Sequence, residues 1–222
     1  MISLVCDNEL RQHIQRNLSQ FVVQAHDGQN LKRAAVTVMV VDIQEALSIN
    51  NKHYDSTWKD QAALVLTRRA TKLKKHSGQW ALPGGRLEAG ESAEVAALRE
   101  LEEEVGVHLE TDAIMGRLDD FTTRSGFVMT PIVVWGGTSI KTSANPDEVA
   151  SVHRIPVREF MRDDAPLLEE IPESEHPVLR MPVGEAWIAA PTGAILYQFR
   201  EVGILGKDTR VAHYEQPYFA WR

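Results

Sequence analysis

The chain has a single cysteine, Cys6, among 222 residues, so no intrachain disulfide can form and an ordinary apolar core has to hold the fold together. Long hydrophobic runs are also missing. The longest nearly uninterrupted one, Ala34 to Val41, is far short of the roughly 18 residues that a membrane-spanning helix needs. The N-terminus offers Ile2, Leu4, Val5 and Cys6 with no basic stretch ahead of them, which does not match a secretory signal peptide. Repeats, low-complexity tracts and a clear domain linker are absent too. Together these absences lead us to expect a cytoplasmic protein without a membrane association. What is present is ordinary globular composition: 43% hydrophobic and 25% charged residues exclude intrinsic disorder and collagen-like classes. The length suits one domain with extensions, the first 30 residues being an N-terminal helical extension and residues 31–222 the main domain.

The balance of charge is negative, at −7, which argues against a general nucleic-acid binder, but its distribution is more informative than its sum. Eight acids between Gly85 and Glu110 face only Arg86 and Arg99, so nearly the whole net charge sits there. Directly upstream, Gln61 to Trp80 carries Arg68, Arg69, Lys72, Lys74 and Lys75 and no acid. A basic block beside an acidic block suggests phosphate and metal chemistry side by side, where a plain solvated surface would not require the two to adjoin.

Local patterns place these blocks on elements. Leu10, Ile14 and Leu18 recur at four-residue spacing behind Asp7 and predict a short amphipathic helix. Valine-rich Ala34–Val41 and apolar Ala62–Leu66 read as buried strands joined by a long surface connection, Gln44 to Asp60. Ser92 to Val105 is dense in Ala, Leu and Glu and stops at Gly106, a favourable residue just past a helix end. Phe127 to Trp135 reads as a strand in which Pro131 implies an edge or a bulge. After Pro191, TGAILYQFREVG predicts a last helix ending at Gly203.

On the helix after Ser92, about 100° per residue puts Glu100, Glu103 and Glu104 on one face, beside an apolar stripe of Ala97, Leu98, Leu101 and Val105. Like charges at this spacing repel unless a cation offsets them. Hard carboxylate oxygens without neighbouring cysteine favour Mg²⁺ or Mn²⁺ over Zn²⁺. The stretch Gly85 to Val107 resembles the Nudix box, G-x5-E-x7-R-E-U-x-E-E-x-G-U, at every specified position: Gly85, Glu91, Arg99, Glu100, Leu101, Glu103, Glu104, Gly106 and Val107. The resemblance implies an α/β/α sandwich with a mixed β-sheet and a metal-dependent hydrolase of nucleoside diphosphates linked to another moiety. It also implies that Glu100 and Glu104 are the primary metal ligands together with the Gly85 carbonyl, that Glu103 binds metal directly or through water, that Arg99 orients a box carboxylate, and that Glu91 holds the loop. The general base is recruited from different places in this family, and here Glu100 and Glu148 are the candidates.

Immediately upstream, LVLTRRATKLKKHSGQWALPGG resembles the motif L-L-T-x-R-[SA]-x3-R-x3-G-x3-F-P-G-G of Nudix enzymes that cleave coenzyme A. Leu66, Thr67, Arg69, Ala70, Gly78, Pro83, Gly84 and Gly85 match in register, and Val65, Lys74 and Leu82 depart from it. The resemblance implies hydrolysis of coenzyme A or acyl-coenzyme A to 3′,5′-ADP and 4′-phosphopantetheine or its acyl form, with Arg68, Arg69, Lys74 and Gly84 at the substrate. Which phosphate Arg69 touches is left open. Another nucleoside diphosphate derivative such as ADP-ribose or NADH is the alternative substrate, and a non-catalytic ligand sensor the alternative class. The partner is a small molecule, with a homodimer as the candidate assembly. His76, His108, His153 and His213 lie in no metal-ligand spacing, the aromatic C-terminal HYEQPYFAWR reads as sealing a core or subunit edge, and Cys6 reads as inert.

Overall fold

The computed structural model describes residues 2–26, 31–44, 48–49, 52–53, 58, 60–70 and 78–217. In chain order its elements are α1 (Asn8–Gln20), β1 (Lys32–Asp42), β2 (Ser48–Ile49), β3 (Lys52–His53), β4 (Ala62–Arg69), β5 (Trp80–Ala81), β6 (Gly84–Arg86) and α2 (Ala93–Val105), followed by β7 (Ile114–Arg117), β8 (Phe121–Thr122), β9 (Phe127–Gly137) and β10 (Val149–Pro156). The C-terminal third adds α3 (Val157–Phe160), β11 (Leu167–Glu169), β12 (Val178–Val183), β13 (Ala186–Ala189) and α4 (Thr192–Gln198), which widens into a π-helical turn over Phe199–Ile204. The last helix of the sequence reading therefore runs one residue past Gly203 and ends in looser turns.

The main sheet has the order β10-β4-β1-β9-β7, with β5 beside β4, β6 beside β1 and β8 beside β9. Only β1 and β9 run parallel among its pairs, so the sheet is mixed. β1 is buried along nearly all its length because both faces are covered, and its sequence is accordingly a valine-rich run instead of an alternation. Ala35, Met39 and Val41 meet Ala96, Ala97, Leu101 and Val105 of α2 on one face. Val36, Val38 and Val40 meet Leu10, Ile14 and Leu18 of α1 and Leu196 and Phe199 of α4 and its extension on the other. The result is three layers, α/β/α. Leu101 and Val105 are fully buried, each worth about 2 kcal/mol of apolar transfer. The one polar residue in the middle of β1, Thr37, donates its hydroxyl to the Ala97 carbonyl at 2.9 Å, so α2 is tied to the sheet at its midpoint.

Both long helices start as their sequences indicate. Asp7 accepts the Leu10 N–H and Ser92 accepts the Val95 N–H, while Gly106 ends α2 in the left-handed conformation, φ 68°. Pro131 is placed differently from expectation: β9 is an interior strand, paired on both sides. Its partner changes at this point from β8 to β7, and the chain crossing the gap donates the Leu118 N–H to the Pro131 carbonyl, so the missing proline donor falls where the ladder is already broken. Within the connection from Gln44 to Asp60, β2 and β3 form a short hairpin. Cys6 is buried, and burial pushes its thiol up to about 12, which keeps it protonated. No helix among the described residues is long and apolar enough to cross a membrane.

One buried carboxylate ties several segments together. Asp120, whose side chain is 0% exposed, accepts from Arg117 at 2.7 Å, the Thr130 hydroxyl at 2.7 Å, the His26 N–H at 2.9 Å and Arg33 at 3.2 Å. Asparagine there would turn amide donors towards donors. Asp120→Asn is expected to lower unfolding free energy by about 3 kcal/mol in urea titrations; a loss below about 1 kcal/mol would show that the network is not a structural pin.

Candidate active site

Two consecutive glycines bring backbone up to the acidic helix. Gly84 has φ 154°, and a Cβ there would lie 2.3 Å from the Ala35 carbonyl oxygen, so only glycine lets β6 lie against β1. A Cβ on Gly85 would lie 2.2 Å from a carboxylate oxygen of Glu100, which therefore rests directly on the Gly85 backbone. Gly84 also donates its N–H to Glu104 at 3.1 Å. Two carboxylates one turn apart on α2 are thus gathered over one short stretch of backbone.

Arg99 organises the rest of the acidic face with all five of its N–H groups. It donates twice to Glu91 (3.0 and 3.1 Å), once each to Glu100 (2.9 Å) and Glu103 (3.0 Å), and once to the Arg86 carbonyl (3.1 Å). Glu91 in turn accepts the Glu88 N–H at 2.9 Å, closing the loop that precedes α2. The guanidinium beside Glu91 holds its carboxyl below the usual range. Glu100 moves the other way: burial raises it, against the pull of Arg99. Glu104 is 4% exposed, and burial pushes it up to about 7, opposed by the Gly84 N–H and Arg69 and reinforced by Glu100 and Glu148. Glu148 comes close through the turn before β10, where Asn145 donates its N–H to the Glu104 carbonyl and Ala70 donates to the Glu148 carbonyl.

A divalent cation fits this donor set. Glu104 is a buried carboxylate with no ion pair among the described residues, and Glu100, although bonded to Arg99, also feels the nearby Glu103 and Glu148 carboxylates. No three His, Cys, Asp or Glu side chains among the described residues converge tightly enough to hold an ion alone. Glu100 and Glu104 are the carboxylates gathered at the Gly84–Gly85 backbone. Glu103 is turned outward, its side chain 57% exposed and paired with Arg99.

Behind the glycines lies an open cavity of about 750 Å³. Among the described residues, Lys32, Arg68, Arg69 and Arg86 line it and no acid does. Apolar surface comes from Trp80, Phe127, Met129 and, across the opening, Trp187 to Pro191 of β13 and the turn after it. Arg68 lies flat on Trp80, 4.0 Å from the ring centre, and donates to the Gly78 carbonyl at 2.8 Å, while His153 packs edge-on against the same ring. Two buried donors, Arg69 Nε and Trp80 Nε1, have no hydrogen-bond partner among the described residues.

The fold thus brings together Gly84, Gly85, Arg99, Glu100 and Glu104, sets Arg69 between the carboxylates and the cavity, and places Glu148 beside them. Arg68 is occupied by the Trp80 stack, and Lys74 lies outside the described residues, as does His76. The other histidines pair off elsewhere: His108 bridges Glu102 and Glu110, and His213 packs on Tyr214. Of the aromatic C-terminal stretch, Tyr214 packs on the main core and Gln216 lines the cavity. Sequence reading missed Lys32, Arg86, Trp80, Phe127 and Trp187 as cavity residues. Only Trp80 carried a local signal, standing inside the upstream motif.

The sequence profile of the NUDIX domain matches residues 54–178. The uncharacterized Nudix hydrolase NudL of Citrobacter koseri is 32% identical over 137 residues, covering 61% of this chain and 64% of its own length. That of Yersinia enterocolitica is 40% identical over 103 residues, 46% of this chain and 53% of its own. The matches therefore span less than two thirds of these relatives. The crystal structure of a MutT/nudix family protein from Enterococcus faecalis superposes with a TM-score of 0.52 at 19% identity, over 87% of this chain and 73% of the other, a likeness of fold. With the profile spanning more than half of the chain and the box carboxylates gathered on one helix over a glycine pair, this chain belongs to the Nudix family.

Proposed function

We propose that the chain hydrolyses the diphosphate of coenzyme A or an acyl-coenzyme A in a metal-dependent reaction, giving 3′,5′-ADP and 4′-phosphopantetheine or its acyl form. The observation that carries this reading is a cavity lined, among the described residues, by four cations and no acid, in a protein of net charge −7, opening onto the glycine pair beneath Glu100 and Glu104. A substrate with about four negative charges, spread over a diphosphate and a phosphomonoester, matches it. Mg²⁺ or Mn²⁺ at Glu100, Glu104 and the Gly85 carbonyl would supply charge neutralisation on the diphosphate and the leaving oxygen. Arg69, which lines the cavity, is the contact for the diphosphate. Arg99 keeps Glu100 oriented, while the cavity's apolar wall excludes water from the nucleoside half. For the proton of the attacking water, Glu148 is the base that suits best: it has no side-chain partner among the described residues, whereas Glu100 is engaged by Arg99.

A panel of coenzyme A, acyl-coenzyme A, ADP-ribose, NADH and nucleoside triphosphates, assayed with Mg²⁺ or Mn²⁺, tests the reading. Coenzyme A or its acyl forms are expected to give the highest kcat/KM. Turnover of ADP-ribose or NADH in their place would overturn it. In the same samples, Mg²⁺ or Mn²⁺ is expected to raise Tm over chelator-treated protein by several degrees, because only the native state gathers the ligands. An unchanged Tm at millimolar metal would remove Glu100 and Glu104 as ligands.

A further inference from the structure

Three neighbouring strands place two cations around one aromatic ring at the cavity end away from Arg68. Lys32 opens β1, Arg86 ends β6 and Phe127 opens β9, and β1 lies between the other two. Lys32 is in register with Phe127, and Arg86 with Ala34, two residues along from Lys32. Directly paired residues, and residues two apart, share a face of a sheet, so all of these line the cavity. The Lys32 ammonium lies 5.7 Å and the Arg86 guanidinium carbon 5.1 Å from the Phe127 ring centre. Among the described residues, neither cation has a carboxylate partner and no acid lines the cavity. Two like charges held around one ring without a counterion repel, and an anion between them would offset this. The ring accounts for their placement but does not neutralise them.

Arg69 lines the same cavity near Gly84 and Gly85, close enough to Glu104 to favour its charged form. Along β4, Leu64 and Leu66 face the α1 and α4 layer, whereas Ala63 and Val65 pack with α2, so strand alternation turns Arg69 towards the carboxylates. The cavity therefore has two cationic poles, one at the glycine pair beside the acidic helix and one at Phe127.

We infer that Lys32 and Arg86 form a second anionic subsite, for a phosphomonoester on the nucleoside half of the substrate, separate from the diphosphate contact of Arg69. The inference rests on the coenzyme A reading for the molecule that carries this group, where it is the 3′-phosphate. Titration calorimetry on the full chain with 3′,5′-ADP and with 5′-AMP tests the subsite independently of turnover. Wild type is expected to bind 3′,5′-ADP about tenfold or more tighter than 5′-AMP. Lys32→Gln and Arg86→Gln are each expected to shrink that ratio by lowering affinity for 3′,5′-ADP, whereas Arg69→Gln lowers both affinities by the same factor. Both residues are exposed, so the variants keep the fold, which melting curves check. A wild-type ratio near one, or a ratio that neither Lys32→Gln nor Arg86→Gln moves, overturns the subsite. If the ratio behaves as expected while the enzyme cleaves ADP-ribose and ignores coenzyme A, the subsite stands and the coenzyme A reading falls.

Discussion

Glu104→Gln is expected to lower kcat by about a thousandfold or more and, in metal-free protein at pH 8, to raise the melting temperature. The first effect follows from removing a charged oxygen ligand at the point where transition-state charge gathers. The second follows from burial. In the folded protein Glu104 titrates near 7, against 4.5 for the free side chain, so the folded state holds the proton more tightly than the unfolded one. Stability from this group is full below about pH 4.5 and is lost as pH rises through about 7, a loss of about 3 kcal/mol with no metal present. Glutamine carries no charge to desolvate and still accepts the Gly84 N–H, so the gain should be several degrees at pH 8 and small at pH 5. Melting curves in chelator at the two pH values, with turnover at saturating metal, check both parts. Near wild-type turnover would remove Glu104 from the ligand set, and a melting temperature independent of pH would show that its carboxylate is not desolvated.

Gly85→Ala and Gly84→Ala, adjacent substitutions of one kind, are expected to fail differently. At Gly85 the new methyl collides with the Glu100 carboxylate, the far end of a flexible side chain. The side chain can swing away at little cost to the fold, but then it leaves the Gly85 backbone and loses its bond to Arg99. Activity should drop by about a hundredfold or more with stability changed by about 1 kcal/mol or less. At Gly84 the methyl meets the Ala35 carbonyl oxygen and the Val36 Cα, which are backbone, at a φ of 154° that side chains rarely adopt. Here β6 must part from β1, and destabilisation by about 3 kcal/mol or more accompanies the loss of activity. Urea titrations beside turnover separate the two. Equal destabilisation by both would mean that Gly85 serves the strand and not the carboxylate.

What the sequence alone determined about this protein is what depends on neighbours within one turn or one strand. Glu100, Glu103 and Glu104 share a helix face because 3.6 residues make a turn, and Ser92 and Gly106 bound that helix through their own backbone preferences. The buried strand β1 declared itself by its valines and β4 by a short apolar run, and the unbroken spacing from Gly85 to Val107 identified the box. Tertiary structure decided the rest. Helix periodicity gives a direction around the axis but not what lies there, so nothing local distinguishes Glu104, buried against Gly84, from Glu103, turned outward onto Arg99. Pro131 looked like an edge because the gap between β7 and β8 that accommodates it belongs to other strands. The sheet β11-β12-β13, whose β13 supplies Trp187 to the cavity, is made of strands of three to six residues, too short for a period to show. Lys32, Arg86 and Phe127 meet only through the registers of β6 and β9 with β1, and register is set by long-range pairing that leaves no mark on the residues around each position.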